Sequence, residues 1–461
     1  MITKTQLHEI KENNIGAVYE HLQSCSSSLE ARVILENLGR LPKDFDGKVL
    51  IPFVSDDIRD TRYWAVKNLG KLQDIKYLHE LSEVALNDKS SVVRREAVSA
   101  IGRMRNKRAI PTLVRFLQDD DPNVLLQAIR GLLIFKNHKR VRECLQPLED
   151  HPNEQIQYVL QSEFEAQPAI TDYGMHYESP DYLKNVVVEG DTREVMQLLP
   201  DGCVHLTFTS PPYYNARDYS IYKSYQQYLD FLGEVFESVH RITKEGRFLL
   251  INTSPVIVPR FSRKHASKRY PIPFDIHNIV SELGWEFIDD IVWAKPEASA
   301  KNRVGGFQQH RKPLGYKPNM ITEYVMVYRK KSSRLIDWNM RQYPKSIIEE
   351  SKVTDEFETT NLWEIDPMSD AVHTAVFPHE LCDRVAKYYS YKGDLLFDPF
   401  AGSGTFGLSA KRLDRKFFLT EQEPDYVARM KDMMSQNQTA DPPATFVTSD
   451  EFKLLVEENR E

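Results

Sequence analysis

Two short stretches hold the residue types from which a reaction site could be built. The first is Thr209-Ser210-Pro211-Pro212-Tyr213, which follows an apolar run from Val204 to Phe208. Two adjacent prolines bar both helix and ladder, so the chain leaves its strand rigidly at that point. The Ser210 hydroxyl, the carbonyls of Ser210 and Pro211, and the Tyr213 ring are thereby presented at a strand's carboxyl end. Oxygen acceptors beside an aromatic face suit a flat amine: the acceptors orient the NH2 group and the ring stacks on its carrier. The second stretch, 189 residues further on, is Asp398-Pro399-Phe400-Ala401-Gly402-Ser403-Gly404-Thr405. Leu395, Leu396 and Phe397 lead into it, and Leu408, Ala410 and Leu413 continue a helical pattern beyond it. That is strand, glycine turn and helix, the place where open α/β sheets bind ligands. Gly402 and Gly404 permit the tight turn and a close approach of ligand to backbone. No Gly-Lys-Ser/Thr follows, so this is not a phosphate loop.

The pair, Thr-Ser-Pro-Pro-Tyr upstream of Asp-Pro-Phe-Ala-Gly-Ser-Gly-Thr, resembles the permuted, β-order group of amino-directed DNA methyltransferases, over roughly residues 181–435. The resemblance implies a Rossmann-like α/β domain with a seven-stranded mixed sheet, parallel except for one inserted strand. It implies S-adenosylmethionine as cofactor, DNA as partner, and a place in restriction-modification. Catalysis would fall to Ser210, Pro211, Pro212 and Tyr213. The target base cannot be reached inside a duplex and must be flipped out. Serine in the first position points to cytosine N4, with adenine N6 as the alternative. A carbon-5 cytosine enzyme needs a nucleophilic cysteine, and none of the four cysteines follows a proline in a catalytic-loop pattern.

Cofactor contacts implied by the same resemblance are Asp398, Phe400, Gly402, Ser403, Gly404, Thr405, Glu421, Asp191 and His373. Glu421 lies 23 residues beyond Asp398, about where dinucleotide folds place the acid that binds ribose hydroxyls. Glu423 competes for that role, and Tyr426 follows at the family's spacing. Asp191 ends a strand pattern and reads equally as a plain helix N-cap. His373-Thr374 with Phe377-Pro378 resembles the motif that holds the methionine end. Two basic stretches are candidates for DNA contact. Arg260, Arg263, Lys264, Lys268 and Arg269 suit phosphates; Arg303, Gln308, Gln309, Arg311 and Lys312 mix amides and guanidiniums that can read base edges. Target recognition is expected within 296–372, although 331–372 is acidic and short for a complete domain.

Residues 1–168 carry a different pattern. Leu38-Gly39, Leu69-Gly70 and Ile101-Gly102 recur at intervals of 31 and 32, and Leu132-Leu133 follows 31 later. Ile34, Ala65, Ala97 and Ala128 share one helical face, and turns rich in Asp, Asn or Pro precede the later copies. Each copy reads as a helix, a polar turn and a second helix, which resembles a short HEAT-like solenoid. Such a stack leaves one long face free for a protein partner or, through Arg94, Arg95, Arg103, Arg105, Lys107, Arg108, Lys136, Lys139, Arg140 and Arg142, for a DNA backbone. A non-catalytic DNA-binding adaptor is the rival to an enzyme.

Composition bounds the rest. The 461 residues are 41% hydrophobic and 28% charged, an ordinary globular balance. A net charge of -7 gives no global argument for nucleic acid. Cys25, Cys144, Cys203 and Cys382 form no close pair, which argues against disulfides or a thiolate zinc site and fits a reducing cytosol. No metal, signal sequence or membrane span is expected, and a cytoplasmic, nucleoid-associated protein of a bacterial or archaeal cell is. Residues 169–180 gain Pro and Gly and read as a linker. Residues 436–461 are polar and acidic and are expected to be disordered.

Overall fold

The computed structural model describes residues 7, 10–11, 14–42, 44–164, 176–214, 222–258, 262, 264–265, 268–299, 313–314, 320–354, 358–368, 377–436 and 443–459. The chain divides into two compact units, Met1–Ile170 and Thr171–Glu461.

The first unit is helical throughout its described residues. Its helices Arg59–Leu72, Ser91–Arg103 and Pro122–Leu133 lie side by side. The repeating small residues explain the spacing. A Cβ on Gly70 would stand 2.6 Å from that of Ala100, and one on Gly102 only 3.0 Å from the Gly131 Cα. Ala65, Ala97 and Ala128 are fully buried on that face. Their amino ends are tied by a ladder the repeat pattern did not reveal. Arg62 grips Asp88 of the next turn through two hydrogen bonds of 2.6 and 3.0 Å, and Arg94 reaches Asp119 at 3.5 Å.

The second unit is a sheet with a hydrophobic core on each side. Its strands are β1 (Val186–Glu189), β2 (Val204–Thr209), β3 (Thr243–Thr253), β6 (Trp285–Ala294), β7 (Thr322–Lys330), β8 (Leu362–Glu364), β9 (Leu395–Asp398), β10 (Lys416–Glu421) and β11 (Thr445–Thr448). Two further strands, β4 (Val256–Val258) and β5 (Lys268–Tyr270), pair only with each other. The sheet order is β11-β1-β10-β9-β2-β3-β7-β6-β8. All neighbours are parallel except β7, which runs against both β3 and β6. Strands alternate their faces: Val186 and Val188 enter one core, Val187 the other, as a sheet buried on both sides requires.

Two expectations are corrected. The sheet has nine strands among the described residues, not seven, because short edge strands β11 and β8 extend it. The acidic tail is not disordered between 443 and 459: β11 pairs with β1, and a helix spans Ser449–Glu458. That helix starts with a capping box, Thr448 and Glu451 bonding each other's backbone N–H, and buries Phe452 and Val456. Two apolar anchors and a cap outweigh a polar composition. The segment 331–368 likewise contributes to the scaffold, through β8 and the buried Tyr343.

At the amino ends of β2, β3 and β9 a charged network is sealed in the sheet. Asp394 is fully buried. It pairs with the Arg247 guanidinium, accepts from Tyr343 Oη at 2.5 Å and from the Tyr391 N–H at 2.8 Å. The Leu395 N–H donates to His205 Nδ1 at 3.0 Å, so the neutral ring carries its proton on Nε2, 3.5 Å from Asp394 Oδ1. His176 completes a grouping with metal-like spacing. The arginine already neutralises the carboxylate, and the proton on Nε2 occupies the nitrogen a cation would need. The network is an ion pair that anchors strands.

Candidate active site

β9 ends in Asp398, which is buried. The chain then turns through Gly402 (φ 53°) and Gly404 (φ 74°) into the helix Thr405–Arg412. Both glycines occupy the left-handed region, where a Cβ costs energy. The turn is closed by the Ala401 N–H on the Thr420 carbonyl at 3.0 Å and by Glu421. Glu421, at the end of β10, accepts from the Gly402 N–H at 2.7 Å and from the Glu423 N–H at 3.0 Å. Burial raises its carboxyl above the usual range, and those backbone donors oppose the rise.

β2 ends beside β9, and here the two motifs meet. Thr209 Oγ1 donates to Asp398 Oδ1 at 2.7 Å, and the Phe400 N–H donates to the same oxygen at 3.0 Å. Burial pushes the Asp398 carboxyl up to about 7. The residue preceding Ser210 is thus fastened to the residue that opens the glycine turn. Tyr213 Oη donates to Glu323 Oε2 at 3.1 Å. Glu323 is in turn held by Asn252 Nδ2 at 2.5 Å and by the Lys295 ammonium. Burial, then the Glu323 charge, drives the Tyr213 hydroxyl well above its ordinary pKa, so it remains a donor.

A cavity of about 620 Å³ joins these groups. Ser210, Pro211, Pro212 and Tyr213 form part of its wall. Asp191, Asp398, Phe400, Gly402, Ser403, Thr405 and Glu421 form another part. Glu423 and Tyr426 also line it. Asp191 is an N-cap that also faces the cavity. It caps the helix Thr192–Leu198 by accepting from the Arg193 N–H at 2.9 Å. Gly404 is a correction: it does not line the cavity. A Cβ there would stand 2.5 Å from Met430 Cγ, so this glycine lets the helix Pro424–Gln436 pack against the turn. His373 lies outside the described residues, as do Arg260, Arg263, Arg303, Gln308, Gln309, Arg311 and Lys312. Lys264, Lys268 and Arg269 are exposed, the last two on β5, and none lines the cavity.

Several site residues were not foreseen. Arg193 bridges Asp191 and Glu234 at 2.7 and 2.9 Å and lies over the Phe231 ring at 5.1 Å. Phe231 approaches Phe400 with ring centroids 6.0 Å apart. Glu323 left one legible trace: it is the lone acid of its strand, just before the run Tyr324-Val325-Met326-Val327-Tyr328. The cavity wall therefore offers carboxylates, exposed backbone at a glycine turn and three phenylalanine rings, Phe231, Phe377 and Phe400. Such a set suits a ligand with hydroxyls, a flat ring and positive charge.

A mostly parallel sheet with its cleft at the strands' carboxyl ends, a glycine turn followed by an acid on the next strand, and a rigid Ser-Pro-Pro-Tyr exit opposite define a Rossmann-like methyltransferase. Residues 204–432, just under half of the chain, match the family model for DNA methylases of the N6/N4 type. This is an enzyme fold of the N4-cytosine or N6-adenine group. Residues 78–162 match the model for HEAT repeats. Among curated relatives, the Type II methyltransferase M.Cfr9I of Citrobacter freundii is 27% identical over 55% of this chain and 89% of its own length. The Type II beta methyltransferase M.BslI of Bacillus sp. (strain NEB-606) is 26% identical over 53% of this chain, which spans only 27% of that protein. A structure from Thermus thermophilus, described as a candidate DNA modification methylase, shares 26% identity over 57% of this chain and 99% of its own, with a TM-score of 0.46. No helix among the described residues is long and apolar enough to cross a membrane.

Proposed function

We propose that the protein transfers a methyl group from S-adenosylmethionine to the exocyclic amine of a base flipped out of DNA, cytosine N4 ahead of adenine N6. The observation that carries this reading is the Thr209–Asp398 hydrogen bond, which locks the amine-binding motif to the cofactor turn across one cavity. The residues present fit the cofactor. Glu421 offers a carboxylate for ribose hydroxyls, Phe400 and Phe231 offer faces for a purine, and Asp398 lies where positive charge is favoured. When bound, S-adenosylmethionine supplies an electrophilic methyl on a sulfonium centre.

The chain's own residues do the rest. The Ser210 hydroxyl and the Pro211 carbonyl accept the amine's hydrogens and aim its nitrogen. As positive charge grows on that nitrogen, the same oxygens stabilise it until a proton leaves. Tyr213 stacks on the flipped base while Glu323 fixes its hydroxyl. The exposed Lys264, Lys268 and Arg269 would meet phosphates, and target recognition would lie within 296–372.

The test is methyl transfer from labelled S-adenosylmethionine to duplex DNA, followed by mass analysis of the nucleosides. N4-methylcytosine is expected; N6-methyladenine would reverse the choice of base, and no label in DNA would sink the reading. A pH effect follows from Asp398. Its carboxyl titrates near 7, so it is neutral below that pH and anionic above. The KM for the cationic cofactor should fall about three- to tenfold as pH rises from 6 to 8, a shift of one unit charge in a partly shielded site. Asp398→Asn should flatten that profile, and a profile unchanged by the substitution would remove Asp398 from cofactor binding.

A further inference from the structure

The helical unit has two edges of opposite character. Because Gly70, Gly102 and Gly131 bring three parallel helices into close register, the carboxyl ends of those helices lie along one edge. The opposite edge holds the acidic turns, whose Asp88 and Asp119 are consumed by Arg62 and Arg94. The carboxyl-end edge carries Arg105, Lys107, Arg108, Lys139, Arg140 and Arg142, all exposed. Three carboxylates meet this edge, Glu96 at 2.8 Å from Arg103, Glu143 at 3.8 Å from Lys139 and Glu163 at 3.0 Å from Lys136. Arg105, Lys107, Arg108 and Arg140 make no ion pair among the described residues.

The carboxyl ends of the longer helices favour nearby cations, but no folded carboxylate is supplied to pair with Arg105, Lys107, Arg108 or Arg140 among the described residues. Lys107 and Arg108 open the turn leading into the helix Ile110–Arg115, and Lys139 and Arg140 open the helix Lys139–Leu145. A helix start is the positive end of its dipole, so cations are disfavoured there and acids preferred. Arg105 adds a second cost, holding φ at 49° where glycine or asparagine is favoured. Exposed positive charge left without carboxylate partners at the same edge of two successive repeats points to an external anion with a matching repeat.

We infer that this edge binds the phosphodiester backbone of duplex DNA outside the methylated site. The inference rests on the methyltransferase reading for the choice of DNA as the polyanion. The edge adds affinity without base specificity, since guanidinium and ammonium contacts to phosphate carry no sequence information.

The experiment uses the full chain with Arg105→Glu, Lys107→Glu, Arg108→Glu, Lys139→Glu and Arg140→Glu combined, and a second variant with glutamine at the same five positions. Affinity for a random-sequence duplex is measured across a potassium chloride series. In both variants the slope of log affinity against log salt should shrink by about 2 to 4, and affinity near 0.1 M salt should fall at least about tenfold. The glutamate variant should melt no lower than wild type, because acids suit those helix starts. Equal slopes for wild type and both variants would overturn the inference, as would a wild type that binds no duplex. Methyl transfer is scored separately. A wild type whose salt slope depends on the edge yet methylates no DNA would retain the edge and discard the enzymatic reading.

Discussion

Methyl transfer by a chain carrying Ser210→Ala and Tyr213→Ala together is expected to fall by about a thousandfold or more in kcat/KM. Removing one preorganised group that stabilises transition-state charge costs about a hundred- to a thousandfold. Losing one base–aromatic stack costs about 1–3 kcal/mol. The single variants should separate the two contributions. Ser210→Ala removes a hydroxyl needed as charge develops and should act mainly on kcat. Tyr213→Ala removes the stacking face and should act mainly on capture of the flipped base. Tyr213→Phe keeps the ring and loses the hydroxyl's hydrogen bonds, that to Glu323 among them, so it should be mild. Wild type and double variant labelling DNA equally would move the chemistry away from this motif.

Arg247→Leu is expected to destabilise the methyltransferase unit by about 3–5 kcal/mol, read as a shift in the urea midpoint at constant slope. The substitution leaves Asp394 charged and buried without its cation, the expensive way to break such a pair. Adding Asp394→Asn should recover part of the loss. Asp394 is held at about 2 by its surroundings, against its burial and with the Arg247 charge as the largest stabilising cause. An unfolded aspartate titrates near about 3.9. Its contribution is therefore present above about pH 4 and lost as pH falls toward 2. His205 is held neutral by burial, its pKa well below the ordinary histidine value. The unfolded chain takes up that proton first, so stability should begin to decline below about pH 6.5. A stability plateau extending down to pH 4 would contradict the neutral His205.

What the sequence disclosed was whatever is local and periodic. The glycine turn, the Ser-Pro-Pro-Tyr exit and the acid of Glu421 sit in short strings whose geometry follows from residue type alone. The repeat spacing was legible for the same reason, since small residues must recur wherever helices pack closely. Contacts between distant residues were not legible. Nothing adjacent to Thr209 announces Asp398, and nothing near Arg62 announces Asp88, because each pair is made by packing. Gly404 was assigned to the ligand although Met430 occupies the space beside it. The tail was misread for another reason. Its charge density was weighed above the Thr448–Glu451 capping pattern, which was present in the string.

The position of β1 has a consequence in time. Val186 pairs with Phe418 on one side and with Thr445 on the other, so both neighbours are made more than two hundred residues after it. On the ribosome, Val186, Val187 and Val188 emerge as a strand with no partners, an edge prone to wrong pairing. The helical unit has no such wait, since its packed helices are near neighbours in the chain. A nascent chain can thus display the cationic edge long before Glu421 exists to complete the cofactor cavity. Docking would mature first and methylation last.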